Sequence, residues 1–478
     1  MGPCSILTYK LILLLTIFVA AICFVSVSYA ENSKYWVYFT AKSDNAIVNI
    51  SDKALHRREL RGHGSGLTEH DIYPDSSHIQ ALEEAGITVH NVSRWLNAAS
   101  VSGDQDSWDR VTNLKFIKKI KPVATFSKDR LSINDIDQIM HKGFFDENQV
   151  AFDYGPSFTQ LNICQIDSLH SLGFTGEGIL IGIMDTGFKI DHPNFADIIA
   201  SNRLIDTYDF INNDDDVQDT GMQQSHGTAT LSIIGGFSEG SLIGSAYGAD
   251  FILAKTEINS MEIIAEEDNW IAAAEWMEAQ GTDIISSSLG YIDWYDLSDL
   301  DGNTAAITIA ADIAASLGVV VVNSAGNERY NQSWGSITPP ADGDSVIAAG
   351  GVDSQGLLFS QSSPGPTADG RIKPDVSAMG EGVIAAYYVN DGFRAFNGTS
   401  FSAPMIAGGL ALILENHPDW SLDTLYDRLR STATNANAPN NDLGWGIAKF
   451  YNMHSGQSSF QIEQEMTVEP NPAVNSVI

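Results

Sequence analysis

The pattern of apolar and polar positions divides the chain into two parts with different organisation. Between residues 35 and 123, short apolar stretches alternate with segments of helical periodicity, which predicts a small α+β unit. From about residue 161 onward, near-continuous apolar strands alternate with helical segments. Strands that are apolar on both faces and separated by helices indicate a parallel sheet covered by helices on both sides. The pattern therefore predicts a doubly wound α/β domain, with a mostly parallel sheet, that follows the small α+β unit.

The individual elements can be placed from the same pattern. The first unit is predicted to contain strands at 35–39, 87–92, 98–101 and 116–123 and helices at 77–85 and 106–114. The second is predicted to contain strands at 178–184, 251–254, 284–285, 319–322 and 346–349, with helices that include 270–280 and 304–317. Lys118, Lys119 and Lys121 indicate that the strand at 116–123 is an exposed edge. Ligands of parallel sheets bind at the carboxyl ends of the strands, so chemistry is expected there.

The first 30 residues are typical of a secretory signal peptide. Lys10 precedes an apolar run at 11–27, and Ser28-Tyr29-Ala30 has small residues at the positions that a signal peptidase reads. Because the run is short for a membrane span, a cleaved leader is preferred over an uncleaved anchor, and the mature chain is predicted to begin near Glu31. Cys4 and Cys23 lie in this leader, which leaves Cys164 without a partner and excludes a disulfide framework.

Charge is distributed unevenly along the chain, and this narrows the range of partners. The 478 residues carry 26 Lys and Arg against 60 Asp and Glu, a formal net charge of −34. Residues 31–130 have a balance of +1, whereas residues 131–478 have a balance of −36. Such an acidic surface argues against nucleic-acid binding and is compatible with solubility, cation binding or a saline habitat. The chain is also long enough for a large core and for two or more domains.

Two segments have neither helical nor strand periodicity. Residues 127–153 are polar and are predicted to link the two folded units. The tail at 456–478 is polar and ends in Pro470-Asn471-Pro472 followed by the start of an apolar stretch. This ending resembles the opening of the sorting domain by which some bacteria export proteins through the type IX pathway, which would place the protein at the cell surface. A fragment of such a domain and an accidental likeness are the two alternatives.

A serine stands immediately before a long apolar helix of the second unit. Gly398-Thr399-Ser400 is followed by small residues, Pro404 and the apolar run at 405–414, so a hydroxyl is expected at the start of a buried helix. Such a hydroxyl is an effective nucleophile only if a base and an orienting carboxylate lie nearby. By itself the motif also indicates a serine that simply caps a core helix.

A carboxylate and a histidine occur at two other predicted element ends. Asp185-Thr186-Gly187 follows the apolar strand at 178–184, which places Asp185 at the carboxyl edge of the sheet. A plain turn or an aspartic protease would show the same tripeptide, but the chain lacks the second copy that an aspartic dyad needs. His226-Gly227-Thr228 opens the apolar stretch at 229–234, where the glycine permits a close backbone approach.

The three motifs, in the order Asp185, His226 and Ser400, resemble those of the subtilisin-like serine protease family. Two further segments are similar to that family, one at 283–290 and one at 324–328. The resemblance extends over about residues 161–451. It implies the subtilisin-like fold and a secreted serine endopeptidase of the hydrolase class.

The resemblance implies four catalytic roles. Ser400 would attack the peptide carbonyl and form an acyl-enzyme, and His226 would accept the proton and later deliver it to the leaving amine. Asp185 would fix the tautomer of the imidazole and stabilise the imidazolium. The Asn327 amide and the Ser400 backbone N–H would donate to the oxyanion of the tetrahedral intermediate.

The resemblance also implies five substrate-binding residues, all placed after predicted strands. They are Ser288, Leu289, Gly290, Ala325 and Gly326. The first three would pair with the substrate backbone as an added strand, and the last two would line the primary side-chain pocket. Small residues there predict an open pocket and broad cleavage after sizeable apolar residues.

The chain departs from the family pattern beside the reacting residues. Ser225 stands where glycine usually precedes the histidine, Ala229 replaces a histidine or larger residue, and Phe401-Ser402 replaces the usual Met-Ala. These changes put specificity and helix packing in question, but they remove no reacting group. Pro339-Pro340 stands where the family often has a cis proline near the substrate pocket, so a cis bond is predicted there.

The implied chemistry requires no cofactor, although a structural calcium ion is one interpretation of an acidic loop. The loop contains Asp214, Asp215, Asp216 and Asp219. Hard cations take several oxygen ligands, so such a cluster is a candidate calcium site. The other interpretation is an acidic loop that is simply solvated.

The resemblance further implies that the first unit is a propeptide that assists folding and blocks the cleft. The predicted organisation is a signal peptide at 1–30, a propeptide at 31–126, a linker with the processing site at 127–153, a catalytic domain at 154–455 and a tail at 456–478. Expected partners are polypeptide substrates and the chain's own propeptide, with no nucleic acid and no stable membrane anchor.

A catalytically silent, peptide-binding scaffold is the alternative to a protease. An esterase is disfavoured because Ser400 does not lie in a Gly-x-Ser-x-Gly elbow.

Overall fold

The computed structural model describes residues 33–126, 152–258 and 265–456, which form two units packed against each other. The first unit comprises residues 33–126, and the second begins at residue 152. The predicted signal peptide, the linker residues 127–151 and the tail from residue 457 lie outside the described residues.

The first unit is built around a four-stranded antiparallel sheet. Its strands and helices are β1 (Tyr35–Phe39), β2 (Lys42–Ile47), α1 (Asp52–Leu60), β3 (Ile72–Pro74), α2 (Ser76–Glu84), β4 (Thr88–Ser93), β5 (Ala98–Ser102), α3 (Gln105–Val111), β6 (Ile117–Pro122) and β7 (Thr125–Phe126). The sheet has the order β4-β5-β1-β6, so the lysine-bearing β6 is an edge strand, as predicted. The predicted strands and helices are all present. The segment β2-α1-β3, which forms a small sheet of its own, was not predicted.

The two faces of this sheet bury different residues because successive side chains of a strand point to opposite sides. On β1, Val37 and Phe39 pack in a cluster with residues of α2 and α3. Trp36 and Tyr38 point the other way and share a cluster with Trp270 of the second unit. The first unit therefore docks on the second through the face of its sheet that α2 and α3 leave free.

The second unit is a parallel sheet with helices on both faces, which confirms the predicted doubly wound α/β fold. Its helices and strands are α4 (Phe158–Asn162), α5 (Ile166–Ser171), β8 (Leu180–Asp185), α6 (Ala196–Ala200), β9 (Leu204–Asp209), α7 (Ser225–Gly235), β10 (Phe237–Ser238), β11 (Leu242–Ile243), β12 (Asp250–Lys255), β13 (Ala265–Glu266), α8 (Glu267–Gln280), β14 (Ile284–Ser287), α9 (Ala306–Ser316), β15 (Val320–Ser324), β16 (Val346–Val352), β17 (Val376–Met379), β18 (Val383–Tyr387), β19 (Gly392–Phe396), α10 (Thr399–Asn416), α11 (Leu422–Thr432) and α12 (Phe450–Ser455). The main sheet has the order β17-β16-β15-β14-β8-β12-β9, and all neighbours in it are parallel.

The central strand β8 shows why helices cover both faces of this sheet. Ile181 and Ile183 lie in one core cluster with residues of α7 and α10. Leu180 and Met184 lie in the opposite cluster with residues of α8 and α9. All four side chains are buried. The near-continuous apolar runs of the sequence are thus strands that are buried on both sides.

Three peptide bonds before proline are cis among the described residues. The bond between Pro339 and Pro340 is cis, as predicted. The Gly365-Pro366 and Lys373-Pro374 bonds are also cis, and the sequence did not indicate them. None of the helices in the described ranges combines the length and the apolarity that crossing a bilayer requires.

Candidate active site

Asp185 is the last residue of β8, so its carboxylate lies at the carboxyl edge of the parallel sheet. The side chain is fully buried. Its Oδ1 accepts a hydrogen bond from the backbone N–H of Thr186 at 2.7 Å, and its Oδ2 accepts one from the hydroxyl of Thr230 at 3.0 Å. These two donors hold the carboxylate in one orientation, facing the first turn of α7.

His226 lies in that first turn and meets the carboxylate of Asp185. Its Nδ1 is 2.8 Å from Oδ1 and 2.9 Å from Oδ2 of Asp185. The hydrogen bond to the carboxylate places the proton on Nδ1, which leaves Nε2 as the basic nitrogen of the neutral ring. Nε2 is buried and makes no hydrogen bond to the described residues. The imidazole is therefore oriented with its lone pair available.

Gly227 allows this histidine to come close to the loop after β8. A Cβ atom on Gly227 would lie 2.3 Å from the carbonyl oxygen of Gly187, a distance that no side chain can occupy. The close backbone approach predicted from His226-Gly227-Thr228 is thus confirmed. Any residue with a side chain at 227 would push α7 and its histidine away from Asp185.

Ser400 lies in the first turn of α10, directly after Thr399, the first residue of that helix. Its side chain is 4% exposed, and its Oγ is 3.4 Å from the carbonyl oxygen of Ser288. The next side chain, Phe401, lies with its ring centre 5.5 Å from that of His226. The serine and the imidazole therefore belong to the same site, although the hydroxyl is turned towards Ser288. The backbone N–H groups at this helix start are a ready environment for an anion.

Asn327 follows β15 and reaches the start of the same helix. Its side-chain oxygen accepts a hydrogen bond from the backbone N–H of Thr399 at 2.9 Å. The amide nitrogen lies on the side of Gly398, where an added Cβ would be 3.5 Å from it. Thr399 thus sets the direction in which this amide donates. No role was predicted for Thr399 from the sequence, where its position directly before Ser400 is the only signal.

The five predicted substrate-binding residues follow two adjacent strands of the sheet. Ser288, Leu289 and Gly290 come after β14, and Ala325 and Gly326 come after β15. The hydroxyl of Ser288 donates to the Ser400 carbonyl at 2.7 Å, which ties the first of these segments to the serine.

Thr338, which the sequence analysis missed, packs against both segments. A Cβ on Gly290 would lie 2.2 Å from Thr338 Oγ1, and one on Gly326 would lie 3.0 Å from the same atom. Its backbone N–H also donates to the Ala325 carbonyl at 3.1 Å. Thr338 directly precedes the cis Pro339-Pro340 bond. It therefore fixes the spacing between the two segments.

All nine predicted site residues therefore lie at one edge of one sheet. They follow β8, β14 and β15, which are neighbours, or belong to the first turns of α7 and α10. An oriented imidazole, a serine at a helix start and an amide donor are the groups that acyl transfer through a serine nucleophile needs. The fold and this arrangement are those of a serine hydrolase on an α/β sheet.

Comparison with known proteins identifies the family. Residues 176–446 match the model of the Subtilase family, and residues 34–136 match that of the Peptidase S8 propeptide domain of Bacteroidota. Subtilisin E of Bacillus subtilis (strain 168) is 30% identical over 358 residues, which cover 74% of this chain and 80% of that protein. The halolysin-like extracellular serine protease Nep of Natrialba magadii is 26% identical over 328 residues, which cover 67% of this chain and 56% of that protein. The chain belongs to the subtilase family, and it is a serine endopeptidase made with a propeptide domain.

The acidic loop before α7 carries an ion pair to a neighbouring strand. Asp219 forms an ion pair with Lys255 at 2.8 Å, and Asp209 pairs with the same lysine at 2.9 Å. Burial lowers the pKa of Lys255, but these two partners outweigh burial and raise the pKa above its ordinary value. No group of three His, Cys, Asp or Glu side chains that could hold a metal ion occurs in the described parts of the chain. Calcium binding stays a prediction.

Proposed function

We propose that this endopeptidase cleaves peptide bonds with Asp185, His226 and Ser400 as its triad and with Asn327 as an oxyanion donor. The proposal rests on the buried pair of Asp185 and His226, whose Nε2 has no partner among the described residues, at the edge where Ser400 lies in the first turn of α10. A buried polar atom without a partner is costly, and that cost is explained if Nε2 acts as the base in the reaction.

The reaction follows from these positions. The Ser400 hydroxyl turns from the Ser288 carbonyl towards His226, gives its proton to Nε2 and attacks the substrate carbonyl. The negative charge that forms on the substrate oxygen is stabilised by the Asn327 amide and by the backbone N–H of Ser400. The imidazolium, stabilised by the Asp185 carboxylate, then protonates the leaving amine. Water, deprotonated by His226, hydrolyses the acyl-enzyme by the same steps in reverse order.

The substrate would lie along the predicted backbone partners Ser288, Leu289 and Gly290. The chain's own segment before the linker supports an extended path beside the sheet, because it ends in a strand and shares an apolar cluster with one of these residues. β7 pairs with β13 in antiparallel fashion, and Val123 and Ala124 share an apolar cluster with Leu289. The backbone N–H and carbonyl of Ala124 both bond to Glu267, the first residue of α8, at 3.0 and 3.1 Å.

Processing of the chain would follow from this placement. The linker, which begins where β7 ends, would be cut within 127–153 by the enzyme itself, and the first unit would remain as an inhibitor until it dissociates. Removal of residues 1–30 and secretion belong to the same proposal. They are supported by the leader pattern and by the name of one relative, which describes an extracellular protease. A cell-surface destination would require that the tail be a sorting signal.

The test is mass spectrometry of the purified chain and of a Ser400→Ala variant, before and after exposure to casein and to a serine-directed fluorophosphonate. The wild type should lose roughly its first 120 to 150 residues, degrade casein and gain one adduct, whereas Ser400→Ala should do none of these. Ser431→Ala, at an exposed serine on α11, is the matched control and should behave as the wild type. If both wild type and control stay intact, unlabelled and inert after the first unit has been removed, the silent-scaffold alternative replaces the proposal.

A further inference from the structure

The first unit contains an inserted arm, β2-α1-β3 (residues 42–74), that docks far from the active site. The arm lies between β1 and α2 in the chain and does not join the four-stranded sheet. It contacts residues 178, 281–283 and 317–318, which directly precede β8, β14 and β15. These are the amino ends of the parallel strands, at the edge of the sheet opposite to Ser400.

The arm lies against the ends of two neighbouring helices. α8 and α9 each end before a glycine in the left-handed region, Gly281 with φ +97° and Gly318 with φ +85°. A Cβ on Gly281 would lie 2.8 Å from Lys53 Cβ, and a Cβ on Gly318 would lie 3.2 Å from the His63 ring. Because both helix ends carry glycine, which has no side chain, α1 and the residues that follow it can pack directly against the backbone there.

Two arginines of the arm bind the carbonyl groups at these helix ends. Arg57 donates to the carbonyl oxygens of Thr282 at 2.7 Å and Leu317 at 3.3 Å. Arg61 donates to the carbonyl oxygen of Gly318 at 2.5 Å and to the carboxylate of Asp283 at 3.0 Å. The carboxyl ends of helices carry partial negative charge and unpaired carbonyls, so cations are stabilised there. Both arginines are buried in this contact.

A buried carboxylate of α8 joins the arm to the rest of the first unit. One oxygen of Glu278 accepts from Arg57 at 2.6 Å and from Arg58 at 2.8 Å, and the other accepts from Arg94 at 3.1 Å. Arg58 also forms a bidentate salt bridge with the carboxylate of Asp71, with hydrogen bonds of 2.8 and 2.9 Å. A fully buried carboxylate needs such partners, because an unpaired buried charge is strongly destabilising.

We propose that the amino edge of the catalytic domain is a guanidinium-binding site whose ligand is the arm of the chain's own propeptide. The contact acts as a second attachment, separate from the cleft, and it controls how fast the cleaved propeptide leaves. The inference rests on the proposed function, in which the first unit inhibits the enzyme after cleavage. In this contact the positive arginines of the arm meet the negative carboxylates of the catalytic domain.

The test follows the full chain through its own activation. Wild type and an Arg57→Gln/Arg61→Gln variant are purified uncut, and mass spectrometry measures cleavage of the linker. Size-exclusion chromatography measures how long the cut propeptide remains bound, and casein hydrolysis measures the lag before activity. We expect unchanged cleavage and a propeptide dissociation rate at least ~10-fold higher in the variant, because several charge-assisted hydrogen bonds are lost. Arg110→Gln, at an exposed arginine of α3 that bonds within its own helix, is the control and should match the wild type.

Different outcomes separate the arm from the proposed function. If cleavage is normal and the propeptide dissociates equally fast from the double variant and the wild type, the proposal that the arm is a second attachment is wrong. A wild type that never cuts itself and never labels would instead overturn the proposed function. If the double variant does not fold, Arg61→Gln alone is measured, and a dissociation rate equal to that of Arg110→Gln would likewise overturn the inference.

Discussion

The two edges of the parallel sheet in this protein carry opposite kinds of chemistry. At the carboxyl edge, α10 starts with Thr399 and Ser400, and this is where we propose that a negative oxyanion is stabilised. At the amino edge, α8 and α9 end, and the carbonyl oxygens of Thr282 and Gly318, just after these ends, accept hydrogen bonds from the guanidinium groups of the arm. In a fold of parallel strands and antiparallel crossover helices, helix starts collect at one edge and helix ends at the other. The direction of the chain therefore assigns anion stabilisation to one edge and cation binding to the other.

The largest effect at the carboxyl edge is expected for Asp185→Asn. The variant keeps the shape of the site but removes the negative charge that stabilises the imidazolium. We expect kcat to fall by about 10⁴-fold, the loss that the same Asp→Asn change causes in the standard Ser-His-Asp triad, because the histidine then takes the wrong tautomer. Steady-state kinetics on a short peptide substrate would measure it. A fall of less than tenfold would mean that the buried pair with His226 is structural.

Asn327→Ala removes one proposed oxyanion donor at the carboxyl edge. Loss of one oxyanion donor lowers kcat by roughly 10²- to 10³-fold, a value taken from subtilisin itself, and should leave KM little changed. Asn303→Ala, at an exposed loop asparagine, provides the control. If KM rises and kcat is unchanged, Asn327 binds the ground state of the substrate and not the transition state.

His170, which lies at neither edge, is expected to affect the stability of the fold and not catalysis. Its Nε2 donates to the Ser245 carbonyl at 3.1 Å and its Nδ1 accepts from the Tyr154 hydroxyl at 2.9 Å, and burial lowers its pKa to about 4. The unfolded chain binds a proton near pH 6.5, so stability from this residue is full above that pH and falls as pH drops towards 4. In the Ser400→Ala background, acidification from pH 7.5 to 4.5 should cost about 2–3 kcal/mol more than in the same chain with His170→Gln. Urea unfolding measures the difference, and equal losses would mean that His170 does not titrate in this range.

Gly318→Ala gives the smallest effect and acts on the amino edge alone. An alanine at φ +85° costs roughly 1–2 kcal/mol in stability, and its Cβ also meets the ring of His63 in the arm. Gly370→Ala is the matched control, because φ is +89° there and no atom lies within 4 Å of the added Cβ. Thermal unfolding should show a slightly larger loss for Gly318→Ala, with kcat of the processed enzyme unchanged in both. A lower kcat in either variant would mean that the two edges are coupled.

The elements at the carboxyl edge of the sheet could be predicted from the sequence, whereas the contacts at the amino edge could not. The strands and the residues after them were readable, because apolar runs buried on both sides leave a strong pattern and the site residues directly follow them. α1 was not readable, since its buried residues are Ala54, Arg57 and Arg58, and hydropathy assigns arginines to the surface. Their burial depends on carboxylates and carbonyls that lie more than two hundred positions away in the chain. Thr338 and Thr399 were missed for the same reason, because their roles arise only from contacts between separate loops.

The arm also changes what a substrate can do to the inhibited enzyme. The propeptide is a bivalent ligand of its own catalytic domain, with one attachment through β7 beside the cleft and one through the arm at the far edge. While one attachment holds, the other reforms at an effective concentration of the order of millimolar. A peptide that enters the cleft competes with only one of them. Raising the substrate concentration is therefore a weak means of activation, and the delay before full activity is set by how often both attachments open together.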